Sequence, residues 1–426
     1  MSKTYFVVII CCLLLFSCAA TKREARPKQI EKYLKQPFYK NQFTGFKLFD
    51  PESQKTIKSL NASKFFIPAS NTKIITLFTA LKSLDDSITG LKYLHQNDTL
   101  YIKGTGDPSL LHPYFKDSTV IKFLRSTNTP IVLQVGQFQD NTYGAGWAWE
   151  DFDTYFSPEK SAIPINGNVL TINKKSDTIT IYPSLFKKDI TYKKSSFRRD
   201  RHKNIFNTLV LENDTIQIPF ITSDSLTAVL LSAEIGKQLI ISDSIKKGEY
   251  QTLKTVKTDS LLSRMMIESD NFIAEQLLIL SADKLFDTLS GKMARNHIIQ
   301  NNGHLFIEKP RWVDGSGLSR YNLFSPDHFV KVLDELYSTV DHSRLFDLFP
   351  KAGVNGTLKS YLIHEKEPFI IAKSGAMGNT YNLSGYLKTK TGKVLIFSFM
   401  NNHFQHPTNS VRKKLYQLLK AIRDEY

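Results

Sequence analysis

Pro68-Ala69-Ser70-Asn71-Thr72-Lys73-Ile74-Ile75-Thr76-Leu77-Phe78-Thr79-Ala80-Leu81-Lys82-Ser83-Leu84 is the stretch on which the reading of this chain turns. Ile74, Ile75, Leu77, Phe78, Leu81 and Leu84 recur at helical spacing, which predicts an apolar helix from Ser70 to Leu84, with Pro68 just upstream. Ser70 and Lys73 lie one helical turn apart, so the lysine amine comes beside the serine hydroxyl. A neutral amine there takes the hydroxyl proton and makes the serine a nucleophile. The helix N-terminus favours the negative charge that develops nearby. Alone, the Ser-x-x-Lys tetrad serves equally well as a simple helix cap. Ser157-Lys160, Ser184-Lys187, Ser244-Lys247, Ser281-Lys284 and Ser410-Lys413 share its spacing. The first four open no long apolar helix, and Ser410, which does open one, has no partner motif after it.

Two further elements lie downstream. In Ser269-Asp270-Asn271 a serine and an asparagine two apart project toward one site when the backbone is extended; the hydroxyl relays a proton and the amide holds a substrate carbonyl. The same triplet reads as the capped start of a helix running on through Phe272-Ile273-Ala274-Glu275. Lys373-Ser374-Gly375 follows the apolar strand Phe369-Ile370-Ile371-Ala372. A lysine and a hydroxyl beside a glycine form a carboxylate-binding strand edge that a substrate backbone approaches closely. Lys390-Thr391-Gly392 is a decoy: it fills the polar turn of a hairpin, so Lys373 is preferred.

Outward from these motifs the texture varies. Thr44 to Asp50 alternates as a strand. From about residue 94 to 254 short alternating runs dominate, among them 130–135, 169–172, 178–182, 208–211 and 215–218. This β-rich stretch lies between helix-bearing segments and reads as an insertion, giving a main domain of 43–93 and 255–426 and an inserted domain of 94–254. Helical pattern returns from Leu261 to Leu280 with a break at 269–271. Strands near 383–387 and 394–400 form a hairpin, and a last helix fits 410–423.

The 426 residues can bury a large core, and 41% hydrophobic with 23% charged content is ordinary for a globular protein. Residues 1–18 read as an export signal: Lys3, then the apolar run Tyr5 to Phe16, then Leu15-Phe16-Ser17-Cys18. That ending resembles a bacterial lipobox with Cys18 as the lipidated residue, and the polar residues 19–42 as a tether to the membrane anchor. The 3 cysteines are Cys11, Cys12 and Cys18, so the mature chain has no thiol for disulfides or cysteine catalysis. Net charge is +16, densest from Lys187 to Lys203. An exported chain excludes nucleic acid as its partner and leaves anionic lipid, wall polymer or a plain solvated loop. No metal or cofactor is expected, since neither a His-x-x-x-His pair nor a cysteine cluster is present.

Taken in order, the three motifs resemble the signature of penicillin-binding proteins and class A β-lactamases, with serine for threonine in the last. The chain is similar to the penicillin-binding D-alanyl-D-alanine carboxypeptidases/endopeptidases of the peptidase S13, or class C low-molecular-weight, family. The resembling stretches are Pro68–Lys73, Gly146-Trp147-Ala148-Trp149, Glu268–Glu275, Asp314-Gly315-Ser316-Gly317-Leu318-Ser319-Arg320, Gly356-Thr357-Leu358, Ala372–Gly375 and Ser384-Gly385-Tyr386. The resemblance implies an α/β (α+β) fold: a β-lactamase/DD-peptidase-like transpeptidase domain with an antiparallel sheet flanked by helices, plus the β-rich inserted domain. It implies an acyl-enzyme reaction on peptidoglycan stem peptides and acylation by β-lactam inhibitors. Ser70 attacks, and Lys73 is the base, with its proton affinity lowered by the Lys373 charge and partial burial. Ser269 relays the proton, Asn271 holds a substrate amide, and Lys373 with Ser374 binds the terminal carboxylate. Backbone N–H groups of Ser70 and Ala376 form the oxyanion hole, and Asp140 stands where relatives hold the substrate's free amine. After Gly356-Thr357-Leu358, Lys359-Ser360-Tyr361 stands where the family has an arginine. A β-lactamase or esterase on the same fold, or a wall-binding lipoprotein without catalysis, are the alternatives.

Overall fold

The computed structural model describes residues 30–175, 178–209, 214–361, 365 and 367–426. The expected signal and Cys18 lie outside the described residues. So do residues 19–29 of the expected tether. From Ile30 onward that tether is instead part of the fold: Ile30, Leu34 and Tyr39 are buried in a hydrophobic cluster. The i, i+4 pair Ile30/Leu34 is the apolar signal that the surrounding lysines obscured.

The main sheet has five antiparallel strands in the order Ile370–Met377, Thr380–Lys388, Val394–Asn402, Phe43–Asp50, Lys55–Leu60. The first strand in sequence thus pairs with the last, Phe46 opposite Phe399. Side chains alternate across this sheet and both faces are covered. Leu395, Phe397 and Phe399 pack with Val411, Leu415 and Leu419 of the terminal helix Thr408–Glu425. Ile396 and Met400 face the other way, in a cluster with Ile74, Ile75 and Leu333. That second face carries helices Thr72–Ser83, Thr258–Ile267, Asn271–Phe286 and Pro326–Thr339. Helix Asn271–Phe286 is buried from Phe272 through Asp283, as befits a helix that is apolar nearly all round.

The intervening stretch is mixed rather than purely β. Its five-stranded sheet runs Leu239–Ser242, Ile131–Gln134, Thr99–Lys103, Ser87–Gln96, Gln251–Lys257. The first two pairings are parallel, which requires crossovers; helices Thr119–Ser126 and Asp224–Ile235 lie between the strands concerned. The short helix Thr119–Ser126 has too few turns to stand out as a period. The strand expected at 208–211 is absent from 208–209, where a two-residue bridge at Phe206–Asn207 stands just before it; 210–211 lie outside the described residues. A three-stranded sheet, Thr215–Pro219, Val169–Lys175 and Thr178–Tyr182, completes this part. The five-stranded sheet is joined to helix Asn271–Phe286 and its end by charge: Lys92 Nζ lies 2.7 Å from both Asp283 and Asp287, and Lys103 Nζ 2.9 Å from Asp287. Among the described residues no helix is long and apolar enough to cross a membrane.

Candidate active site

Ala69–Asn71 form a 3-10 turn that feeds helix Thr72–Ser83. Ala69 has φ +47°, a conformation costly for any residue with a Cβ, and three hydrogen bonds hold it. Thr72 Oγ1 donates to Ala69 O (2.9 Å), Asn382 Nδ2 to Pro68 O (2.7 Å) and Asn71 Nδ2 to Ser384 Oγ (2.8 Å). The turn also packs directly on the strand edge. A Cβ on Gly375 would stand 2.5 Å from Pro68 O and 3.0 Å from Ser70 N. The glycine of Lys373-Ser374-Gly375 is therefore required by the nucleophile turn itself, whereas the sequence suggested room for a substrate backbone.

The helix turn brings Lys73 to Ser70 as the spacing predicts. Lys73 Nζ donates to Ser70 Oγ (3.2 Å), Asn271 Oδ1 (2.6 Å) and the carbonyl of Ser316 (2.6 Å). Asn271 Nδ2 donates to Phe156 O at 3.0 Å, which fixes the amide with its oxygen toward the lysine. Asn271 is the first residue of its helix, Asp270 caps it through Ile273 N, and Ser269 has φ +61°. Ser269 is therefore left-handed rather than extended, and capping and site geometry are served by one turn. Its Oγ accepts from Lys373 Nζ at 2.9 Å, and Lys373 Nζ also donates to Ser374 O at 2.9 Å.

Both amines are fully buried. Burial pushes Lys73 down to about 8, against the pull of Asp314, Glu275 and Asp270 in the other direction. Lys373 is held well below the usual lysine range by burial first and by the Lys73 charge second. Of the two expected causes, burial lowers Lys73 and the Lys373 charge does not; instead Lys73 depresses Lys373. When Lys73 is neutral it keeps two N–H bonds. Asn271 Oδ1 and Ser316 O can only accept, so the lone pair is left facing Ser70, the one partner with a proton to give.

The Asp314–Arg320 loop, to which the sequence assigned no chemistry, supports this arrangement. Asp314 accepts from Gly317 N (2.9 Å), Ser319 N (2.6 Å), Asn322 Nδ2 (2.7 Å) and Trp147 Nε1 (2.9 Å). Glu275 accepts from Ser316 N at 2.8 Å, and burial raises its carboxyl pKa. Gly317 has φ +80°, and a Cβ there would stand 1.8 Å from Ala69 O. The loop is thereby folded tightly enough to aim the Ser316 carbonyl at Lys73.

A cleft of about 1170 Å³ opens onto Ser70 and is lined by Ser269, Asn271, Thr357 and Ala376 among others. Ser374 Oγ donates to Thr357 Oγ1 at 2.9 Å, so the Gly356-Thr357-Leu358 turn supports the strand edge. Arg320 lines the same cleft, a guanidinium supplied from a different loop than the one that lacks it. Asp140 does not line it. Its carboxylate caps Gly291 N (3.2 Å) and pairs with Lys160 (3.1 Å). The cleft carboxylates are Glu150, Asp151, Glu268 and Asp270. Asp151 is raised above the usual carboxylate range by burial and by Glu150 and Asp153. It lies two residues after the quoted Gly146–Trp149 stretch, a signal that could have found it. Lys390 is an exposed turn residue paired with Asp424 at 3.0 Å. Among the described residues no three His, Cys, Asp or Glu side chains gather as a metal site.

A sequence profile described as the D-Ala-D-Ala carboxypeptidase 3 (S13) family matches residues 27–194 and 237–422, most of the chain. D-alanyl-D-alanine carboxypeptidase DacB of Haemophilus influenzae is 26% identical over 420 residues, covering 87% of this chain and 88% of that protein. Penicillin-sensitive carboxypeptidase A of Dictyostelium discoideum is 22% identical over 408 residues, covering 78% and 76%. The crystal structure of penicillin binding protein 4 from Haemophilus influenzae superposes with a TM-score of 0.71 at 22% identity, covering 92% of this chain and 98% of that one.

Proposed function

Since the chain belongs to the D-Ala-D-Ala carboxypeptidase 3 (S13) family, we propose that its D-alanyl-D-alanine carboxypeptidase/endopeptidase activity on peptidoglycan runs through Ser70 as nucleophile and Lys73 as base. The carrying observation is the buried Lys73 amine, held near 8 and 3.2 Å from Ser70 Oγ. Ser70 Oγ bonds to the carbonyl carbon of the penultimate D-alanine while its proton passes to Lys73. The oxyanion faces the N–H groups of Ser70 and Ala376, an assignment supported by the tight seat of Gly375 against Ser70 N. The departing amine takes a proton through Ser269, which is bonded to Lys373. The proton relayed through Ser269 is the one Lys73 took, so Lys73 is neutral again when water attacks the acyl carbon; Lys73 takes the water proton and returns it to Ser70 Oγ as the acyl group leaves.

Lys373 and Ser374 hold the substrate's terminal carboxylate, and Arg320 lines the cleft beside Gly378. Asn271 holds a substrate amide. Asp151, which lines the cleft where Asp140 does not, is the carboxylate assigned to a free amine; its place in the lining supports this reading. Residues 94–254 act as an accessory unit on this catalytic frame. The N-terminal run through Cys18 supports export to the periplasm and lipid anchoring; a Cys18→Ser protein that still takes up labelled palmitate refutes that part.

Intact-mass measurement with excess benzylpenicillin tests the centre. The protein should gain one inhibitor mass and keep it for many minutes, and Ser70→Ala should gain none. Rapid return to the free mass would favour a β-lactamase; no adduct at all would end the nucleophile assignment. Mass analysis of digested peptidoglycan then separates D-alanine trimming from cross-link cutting.

A further inference from the structure

The basic stretch after Lys187 is not a loose loop. Arg199 is only 1% exposed, and its Nη2 donates to Tyr143 OH and Phe152 O, both at 3.3 Å. Phe197 packs on Phe152 and Trp149 with ring centroids 5.3 and 6.2 Å apart, and Arg198 N donates to Asp153. These contacts fix the stretch to the loop that carries Ala148, Glu150, Asp151 and Phe156, the wall of the active cleft.

On its outer side lies a groove lined by Tyr155, Lys193, Lys194, Arg198, Asp214 and Gln217 with their neighbours. Tyr155 and Gln217 line the active cleft too, so the two depressions adjoin. Strand Thr215–Pro219 connects them. Its Gln217 faces both, and Thr215, about 7 Å further along, faces only the groove. Among the described residues no carboxylate pairs with Lys193, Lys194 or Arg198, and Asp214 is the one acidic residue in the lining. Three cations beside a cleft, none in an ion pair among the described residues, attract anions from about a Debye length, some 8–10 Å.

We infer that this groove is a subsite for carboxylates of the peptidoglycan beyond the scissile D-alanyl unit, so that the enzyme favours extended, polyanionic wall material over short neutral peptides. The inference rests on the cleft being the hydrolytic site proposed above. Stem peptides carry free carboxylates along their length, and those a few bonds from the cleft reach the groove. A neutral peptide ending in D-alanyl-D-alanine does not. A wall shared with the cleft favours a portion of the substrate as occupant over a membrane surface.

The test is Lys193→Glu/Lys194→Glu, with Arg198→Ala as a milder second variant. All three side chains are exposed and outside the catalytic set. On intact sacculi, kcat/KM should fall about tenfold for the double variant, through KM, and added salt should slow wild type more than the variant. Penicillin acylation and hydrolysis of a diacetylated tripeptide ending in D-alanyl-D-alanine should stay within about twofold. Equal loss on both substrates, or no loss on sacculi, overturns the inference. So does lost binding to phosphatidylglycerol vesicles with sacculus turnover intact, which assigns the groove to lipid. If wild type is never acylated, it is the nucleophile assignment that fails. Co-sedimentation of Ser70→Ala protein with sacculi then judges the groove alone: retention lost on adding the double substitution supports it, and unchanged retention overturns it.

Discussion

Replacing Glu275 by Gln should move the pH dependence of acylation to the acid side. With Lys73 near 8, the neutral amine is about 1% of the population at pH 6, about 9% at pH 7 and about 90% at pH 9. The sign follows from the base needing to be neutral: acylation is fast above 8 and is lost as pH falls below it. Glu275 is one of the carboxylates that hold the proton on Lys73. Its oxygen is 2.8 Å from Ser316 N, and Lys73 Nζ is 2.6 Å from Ser316 O, so the two charges are about 8 Å apart at most. At an effective dielectric of about 20 that attraction is roughly 2 kcal/mol, more than one pH unit of proton affinity. The neutral amide keeps the shape and still accepts from Ser316 N. The midpoint should therefore fall by about one pH unit, and the rate at pH 6 should rise several-fold, short of tenfold because a weaker base transfers the proton less well. Stopped-flow fluorescence with a reporter β-lactam from pH 5.5 to 9.5 reads this directly, and thermal melts of the same samples verify the fold. A wild-type rate independent of pH across that range, or a Glu275→Gln profile displaced to the alkaline side, would refute the assignment of Lys73 as base.

Gly317→Ala places a methyl 1.8 Å from Ala69 O at φ +80°, so it should cost about 3 kcal/mol or more in denaturant unfolding and nearly abolish penicillin labelling. Ser374→Ala removes the hydroxyl bonded to Thr357 and should raise KM for a D-alanyl-D-alanine peptide about fivefold with little change in kcat; an unchanged KM would remove Ser374 from carboxylate binding. Lys92→Met strips the partner from Asp283, whose side chain is 7% exposed, and should cost about 3 kcal/mol in urea titration while leaving the acylation rate of the folded protein unaltered.

Local pattern carried the reading far in some places and misled it in others. The helix after Ser70, the break at 269–271 and the terminal hairpin were legible because each rests on short-range periodicity or capping. Thr380–Lys388 and Val394–Asn402 extend the hairpin strands by only a few residues. Asp140 was misplaced because a strand-end aspartate looks the same whether it meets a ligand or caps a helix; Gly291 N and Lys160 decide it. The role of the Ser316 carbonyl had no signal, since a backbone oxygen has no residue-type signature. For the basic stretch the sequence left anionic lipid, wall polymer and a plain solvated loop open, because the contacts of Arg199 and Phe197 that fix it to the cleft wall have no local signature.

What the sequence determined by itself is the chemistry available: a hydroxyl and an amine one turn apart, a capped helix start bearing Ser269 and Asn271, and a strand bearing Lys373. These follow from spacing within a few residues. What only the tertiary structure decided is how acidic the two amines are, which carboxylates line the cleft, and that the cationic groove adjoins it. Those depend on burial and on charges brought together from positions hundreds of residues apart, such as Lys73 with Asp314 and Glu275, and no local pattern encodes such distances.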